Sequence, residues 1–209
     1  MSSIPPESGG HRYNQRAMTE TNALSLFEKT GALLSGHFVL TSGRHSDRYF
    51  EKFHVLRYPE YVEQLGRELA ARCADVKPDV VLGPTTLGIV LAYEVARHLG
   101  ATAAYGEKGP DGKRFLRRPE HMEAGQRVLV VDDILTTGGS INECIELVNV
   151  HGSELVGVGV LVDRSGGKVD FGVPLASVLA LNVQSWAPDE IPDWLKAIPI
   201  TRPGATGKK

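Results

Sequence analysis

Cysteine is scarce. Cys73 and Cys144 are the two in 209 residues, too few for a disulfide framework or a four-thiolate metal centre. Each falls in phase with the apolar neighbours of an expected helix, which makes them buried thiols rather than a disulfide or a nucleophile. Seven histidines include no pair at metal-ligand spacing, and His98 and His151 are expected at helix ends. No apolar run is long enough to span a bilayer, and Met1 to Arg16 lacks the apolar core of a signal peptide, so a cytoplasmic location is expected. A net charge of -2 provides no basic excess for nucleic acid. No serine sits in a nucleophile elbow. Gly157-Val158-Gly159 lacks a third glycine, and Gly106 to Arg114 has the wrong spacing for a P-loop, with Arg114 where Ser or Thr must meet magnesium.

What is present is one distinctive stretch, Arg127 to Ser140. Val128 to Val131 is an unbroken aliphatic run, as expected of a strand buried on both faces of a parallel sheet. It ends in two adjacent carboxylates, Asp132 and Asp133, which are expected to face solvent and ligand. Ile134, Leu135, Thr136, Thr137, Gly138 and Gly139 lead to Ser140 and a helix-like segment, Ile141 to Val150. The two glycines permit a tight turn and close backbone approach to a ligand. Ser140 is expected to be the helix N-cap. The free N–H groups of that first turn, with the helix dipole, suit a phosphate. The two carboxylates would repel phosphate, but they suit the hydroxyls of a sugar diol. Phosphate on one side and diol on the other describe a ribose 5-phosphate.

Around this stretch, apolar strands alternate with helical patterns. Met1 to about Met18 is expected to be a disordered tail, and residues 19–209 one domain. Ala23 to Leu34 is expected as a helix, His37 to Leu40 and Tyr49 to Phe53 as short strands around a polar turn. Pro59 opens a helix whose face is Tyr61, Val62, Leu65, Leu69 and Cys73. Strands are expected at Val80–Leu82, Ala101–Tyr105, Leu155–Val162 and Ala176–Leu181, with a helix at Ile89–Leu99. The architecture is therefore a doubly wound, parallel α/β sheet, with a small N-terminal hood at about 19–55 joined by the C-terminal tail and a core at about 56–181. Trp186 and Trp194 are expected to pin that tail, whose prolines exclude long regular structure. Ligands of such sheets bind beyond the carboxyl ends of the strands, where Gly83–Gly88, Gly106–Ala124, Asp132–Ser140 and Asp163–Gly167 fall. Gly106 to Ala124 shows no period, is expected to be a functional or mobile loop, and carries Lys108, Lys113, Arg114, Arg117 and Arg118. Arg164 directly follows a buried strand, where it can pair with a carboxylate, either a ligand's or the protein's own.

The acid pair with its Thr-Thr-Gly-Gly loop resembles the phosphoribosyl-diphosphate (PRPP) motif of type I phosphoribosyltransferases. With Leu40 to Ser46, Tyr49-Phe50, Gly83 to Gly88, Val160 to Gly167 and the ending Ile198 to Gly204, the chain from about Leu24 onward resembles the orotate phosphoribosyltransferase family. That resemblance implies conversion of orotate and PRPP to orotidine 5'-monophosphate and pyrophosphate, in de novo pyrimidine (UMP) biosynthesis. It implies Mg2+ carried on PRPP rather than on metal ligands of the chain. It also implies a homodimer whose basic loop acts in the partner's active site, with no nucleic-acid or membrane partner. Asp132, Asp133, Ile134, Leu135, Thr136, Thr137, Gly138, Gly139 and Ser140 would hold PRPP. Thr136 and Arg164 would contact orotate, Tyr49-Phe50 would lie near the base, and Lys108, Asp132 and Asp133 would be catalytic. Two lysines common in the family are replaced here by Thr41 and Leu87, and the family's Lys-x-x-Lys-x-His loop pattern is absent, Asp111 and Lys113 standing at its later places. A purine phosphoribosyltransferase would share Asp132 to Ser140 without needing Arg164. A regulatory module that binds PRPP without turnover would also share the motif.

Overall fold

The computed structural model describes residues 18–40 and 42–202. The expected tail before residue 18, Thr41 and the closing Pro203-Gly204 lie outside the described residues. In chain order, α1 (Glu20–Lys29) leads into a hairpin of β1 (Leu33–Val39) and β2 (His45–Phe50). Two helices follow, α2 (Phe53–Leu56) and α3 (Pro59–Arg72), then β3 (Val80–Pro84), α4 (Leu87–Leu99), β4 (Thr102–Lys108) and β5 (Arg114–Phe115). The chain continues through β6 (Arg127–Leu135), α5 (Gly139–Val150), β7 (Glu154–Asp163) and β8 (Leu175–Ala180). It closes with β9 (Ser185–Trp186), α6 (Asp193–Lys196) and β10 (Ile200–Thr201).

The larger sheet runs β5-β4-β3-β6-β7-β8, parallel except for the edge strand β5. Alternation along β6 explains its two faces. Leu129 and Val131 pack with Leu65, Leu69, Leu91 and Val95 of α3 and α4, while Val128 and Val130 pack with Ile141, Cys144 and Val148 of α5. Helices therefore cover both faces, and the doubly wound α/β architecture follows from a strand whose run Val128–Val131 is apolar on both faces. Both thiols are buried, and burial pushes Cys73 up to about 11 and Cys144 up to about 12, which leaves neither available as a thiolate nucleophile.

The smaller sheet, β10-β1-β2-β9, joins the N-terminal hairpin to the end of the chain. Arg44 stitches the two: its Nε donates to Ser185 Oγ (3.0 Å) and its Nη2 to the Ser185 carbonyl (2.6 Å). Trp186 and Trp194 meet edge to face at 5.7 Å.

Several boundaries differ from those expected. The first helix stops at Lys29, because Gly31 turns the chain at φ +69°, and Leu33 and Leu34 enter β1 instead. The second strand starts at His45, and Phe53 opens α2. The stretch Gly106–Ala124 is not one long loop. β4 runs on to Lys108, a tight turn brings back β5, a 3-10 turn spans Pro119–His121, and Leu116 and Met122 are buried. Its backbone pairs with β4, which a search for hydrophobic period does not see in a two-residue strand.

Candidate active site

The order of the strands creates the crevice. From β3 the chain steps outward to β4 on one side, then crosses back to β6 and steps outward through β7 and β8 on the other. Loops leaving β3 and β6 diverge, and a cleft opens between them at the carboxyl ends.

β6 extends through the acid pair to Leu135. The strand's alternation sends the two carboxylates to opposite faces. Asp132 meets the start of α5, where Ser140 Oγ donates a short hydrogen bond to its Oδ2, and its Oδ1 accepts from the Asp133 amide at 2.8 Å. Asp133 meets the hood, where Lys52 Nζ lies 3.0 Å from Oδ2 and 3.3 Å from Oδ1. Asp133 Oδ1 also accepts from the Ile134 amide at 2.7 Å. Only the contact of Lys52 with Oδ1 has hydrogen-bond geometry, so Asp133 Oδ2 is buried with charge compensation but no aligned donor among the described residues. Both aspartates are 6% exposed, a correction to the expectation that they face solvent. Burial, then the negative charge of Asp133, push the Asp132 carboxyl up to about 6, while Ser140, the Asp133 amide and Lys52 pull the other way.

Ser140 is not the N-cap that was expected. Its hydroxyl is spent on Asp132, α5 begins one residue earlier at Gly139, and Gly138 occupies the cap with no side-chain hydrogen bond. The first amides of α5 therefore lack a side-chain acceptor, and with the helix dipole they form an anion seat. Thr136, Thr137 and Gly139 around it are exposed. Gly138 has φ +80°, and a Cβ there would come within 3.2 Å of Phe171 and Val169, so a side chain is excluded on two counts.

Arg164 lies beside this loop. Leu135 pairs in register with Asp163, and the Arg164 amide donates to the Leu135 carbonyl at 2.8 Å. Its Nε is buried with no hydrogen-bond partner, and burial lowers its pKa. Among the described residues no carboxylate pairs with it, so the intramolecular salt bridge left open by the sequence is not formed. A half-buried guanidinium whose Nε has no acceptor is chemically suited to an anionic ligand.

On the other side of the cleft, the loop after β3 folds backbone on backbone. A Cβ on Gly83 would collide with the Gly88 carbonyl, and one on Gly88 would come 2.5 Å from Pro84. Arg114 braces this loop. Its side chain, 4% exposed, donates to Glu143 (2.9 Å), the Gly106 carbonyl (2.9 Å) and Thr85 Oγ1 (3.3 Å). Arg117 pairs with Glu107 at the surface. Lys108 lies 3.4 Å from Glu143 and is 56% exposed, which leaves its ammonium able to move to another anion. Of the aromatic pair, Phe50 is buried edge-on against Phe27 at 5.0 Å, and Tyr49 is the partly exposed member.

Sequence reasoning missed Lys52 and Glu143. Lys52 is 81 positions from Asp133, beyond any local pattern; the signal available was a cation two residues after Tyr49-Phe50. Glu143 reads as an ordinary polar position of α5 until the hairpin brings two cations to it.

This geometry has relatives. The phosphoribosyl transferase domain family matches residues 58–177, which run from α3 into β8. The orotate phosphoribosyltransferase of Pelotomaculum thermopropionicum is 50% identical over 188 residues, covering 90% of this chain and 98% of its own. A crystal structure of orotate phosphoribosyltransferase from Aeropyrum pernix superposes with a TM-score of 0.63 at 32% identity, over 75% of this chain and 92% of that one. The Mycobacterium tuberculosis H37Rv orotate phosphoribosyltransferase in complex with inorganic phosphate superposes with a TM-score of 0.61 at 27% identity, over 76% of this chain and 95% of that one. Because the likeness runs through both the parallel core and the hood, and not through the PRPP-like loop alone, the chain belongs to the orotate phosphoribosyltransferase family.

Proposed function

We propose that this chain transfers the ribose 5-phosphate of PRPP to a ring nitrogen of orotate, releasing pyrophosphate and forming orotidine 5'-monophosphate in pyrimidine biosynthesis. The observation that carries the choice of base is Arg164: a half-buried arginine one residue beyond β7, its Nε buried and unpaired, tied by its backbone to the loop that forms the anion seat. The relatives' names support the same choice. In this reading the 5-phosphate takes the amides at the start of α5, with Thr136, Thr137, Gly138, Gly139 and Ser140 around it. The ribose hydroxyls donate to Asp132 and Asp133. The relative that binds inorganic phosphate supports a phosphate seat in this fold.

The chemistry asks for little covalent participation. The C1–O bond to pyrophosphate breaks, its electron pair leaving with the pyrophosphate, and a bond forms between C1 and the orotate nitrogen on the other face. Asp132 and Asp133 orient the sugar and sit near the positive charge that grows on it. Thr136 and Arg164 hold orotate, Arg164 through its carboxylate. Lys108 turns to the departing pyrophosphate, and closure of its hairpin excludes water from the activated sugar. Mg2+ would be carried on PRPP and held by substrate oxygens, with Asp132 and Asp133 left to the ribose hydroxyls rather than serving as metal ligands. When bound, it neutralises charge on the diphosphate. A cytoplasmic location belongs to the same reading, and the two unpaired buried thiols support it.

The reading is tested by the fall in orotate's ultraviolet absorbance with PRPP and magnesium, run beside adenine, guanine and uracil. Turnover of orotate alone is expected; turnover of a purine instead would replace the reading.

The reading includes a homodimer in which the Lys108 hairpin serves the partner's site. Lys108→Ala is expected to lower kcat far more than it weakens orotate binding, because its charge counts most as pyrophosphate leaves. Mixing this variant with the Asp132→Asn, Asp133→Asn double variant should then restore activity, since each mixed dimer has one site with both parts intact. Two inactive variants that stay inactive when mixed under subunit exchange would assign Lys108 to its own chain's site.

A further inference from the structure

Lys52 is the one cation that crosses from the hood to the acid pair in the described structure. It stands at the start of α2, directly after β2, and reaches Asp133 of β6 at 3.0 Å and 3.3 Å. The pair is unequal: the lysine side chain is 42% exposed and that of Asp133 is 8% exposed. A surface pair of this length would contribute little. Here one partner is a buried carboxylate next to a second buried carboxylate, and losing the one cation paired with them among the described residues leaves two like charges in a poor dielectric. The contact also has a mechanical side. Other contacts between the hood and the core are mainly apolar, such as Phe50 packed among core residues, and apolar packing does not fix the direction of a carboxylate.

We propose that Lys52 is a positioning residue for the sugar-binding carboxylates, holding the Asp133 carboxylate in one orientation from the hood side. The proposal rests on the reading of Asp132 and Asp133 as the diol site. Asp133 Oδ2 is enclosed, with the ammonium 3.0 Å away and no aligned donor among the described residues, so Lys52 is what fixes that side of the carboxylate. Asp132 has its own support from α5 through Ser140. The groups acting on Asp132 are Asp133 from β6, Lys52 from the hood, Ser140 from α5 and the backbone amide of Asp133. Cys144, also on α5, lies close enough to feel the charge of Asp132 and is a neutral thiol. Among the described residues, Lys52 is thus the one positive charge that acts on both carboxylates. Removing it frees Asp133 to turn and takes away the one charge that pulls the Asp132 carboxyl down, which weakens the hold on the diol and moves the acid limb of the activity profile to higher pH.

The test compares the parent with Lys52→Met and Lys52→Arg, full chains throughout. KM for PRPP and for orotate is measured across the range from about pH 5 to 9, and PRPP binding is measured separately by titration calorimetry without orotate. Lys52→Met is expected to raise KM and Kd for PRPP about tenfold, to leave KM for orotate within about twofold, and to shift the acid limb of kcat/KM for PRPP upward. Lys52→Arg should recover most of the PRPP affinity, because it restores the charge. A merely structural contact would lower the melting temperature and affect both substrates alike. Parent-like PRPP affinity and an unmoved acid limb in Lys52→Met would overturn the proposal, as would equal losses for both substrates. Failure of the underlying reading looks different: a parent that does not bind PRPP, or an Asp133→Asn variant that binds it normally, removes the diol site itself whatever Lys52 does.

Discussion

Replacing Asp132 and Asp133 together by asparagine is expected to leave a folded protein whose turnover is lowered by roughly 100-fold or more. The sugar keeps hydrogen-bond acceptors in the asparagine carbonyls, but it loses the negative charge beside the carbon that becomes positive. Activity near the parent's would refute a role for the pair in holding PRPP. The folding half of the expectation is sharper because both groups are buried. The folded Asp132 carboxyl titrates at about 6, above its ordinary value of 3.8. Between those values the folded chain binds more protons than the unfolded one, so stability falls as pH rises through this window, and the cost is complete above it. Asp132→Asn removes that cost. It should melt at the parent's temperature or higher at about pH 8, and the difference should shrink toward about pH 4, where the parent carboxyl is also neutral. A variant that melts well below the parent at about pH 8 would show that the Ser140 bond outweighs the burial of charge.

Arg164→Ala is expected to raise KM for orotate strongly, a loss of about 2–5 kcal/mol for a desolvated charge pair, while PRPP binding measured by titration stays nearly unchanged. The expectation follows from what Arg164 lacks. No protein carboxylate neutralises it among the described residues, and its Nε has no acceptor. Among the described residues the substitution therefore breaks no side-chain hydrogen bond or ion pair, and a loss confined to orotate is the expected signature. Orotate differs from uracil by a carboxylate, the group that a planar guanidinium meets with two parallel bonds. Arg164→Lys should rescue only in part, since an ammonium has no such fork. If the alanine variant uses orotate as the parent does, the choice of base rests on the relatives alone and a purine substrate moves up.

The core was legible in the residues because its signals are local. Val128 to Val131 can only be a strand with helices on both faces, and the strand–helix alternation around it dictates a parallel sheet. The turn at Thr136 to Gly139 was legible for the same reason: adjacent glycines after an apolar run mark the passage from strand to helix. The short elements were not. β5, β9 and β10 are two residues each, too short for any period, and they exist because a neighbouring strand offers its edge.

Within the site, sequence alone determined which groups are present: two adjacent carboxylates, a small-residue turn into a helix and an arginine after a buried strand. Tertiary structure decided what each group does. Alternation along β6 sends Asp132 toward α5 and Asp133 toward the hood, so Ser140 becomes a partner of Asp132 instead of a cap. Folding the Gly106–Ala124 segment back on β4 divides its basic residues, burying Arg114 as a brace and leaving Lys108 exposed. The contact of Lys52 with Asp133 spans 81 positions. Nothing in a linear pattern encodes such a pair, because it depends on how the hood docks on the core, and that docking is set by apolar packing distributed over α1, β1, β2 and α3.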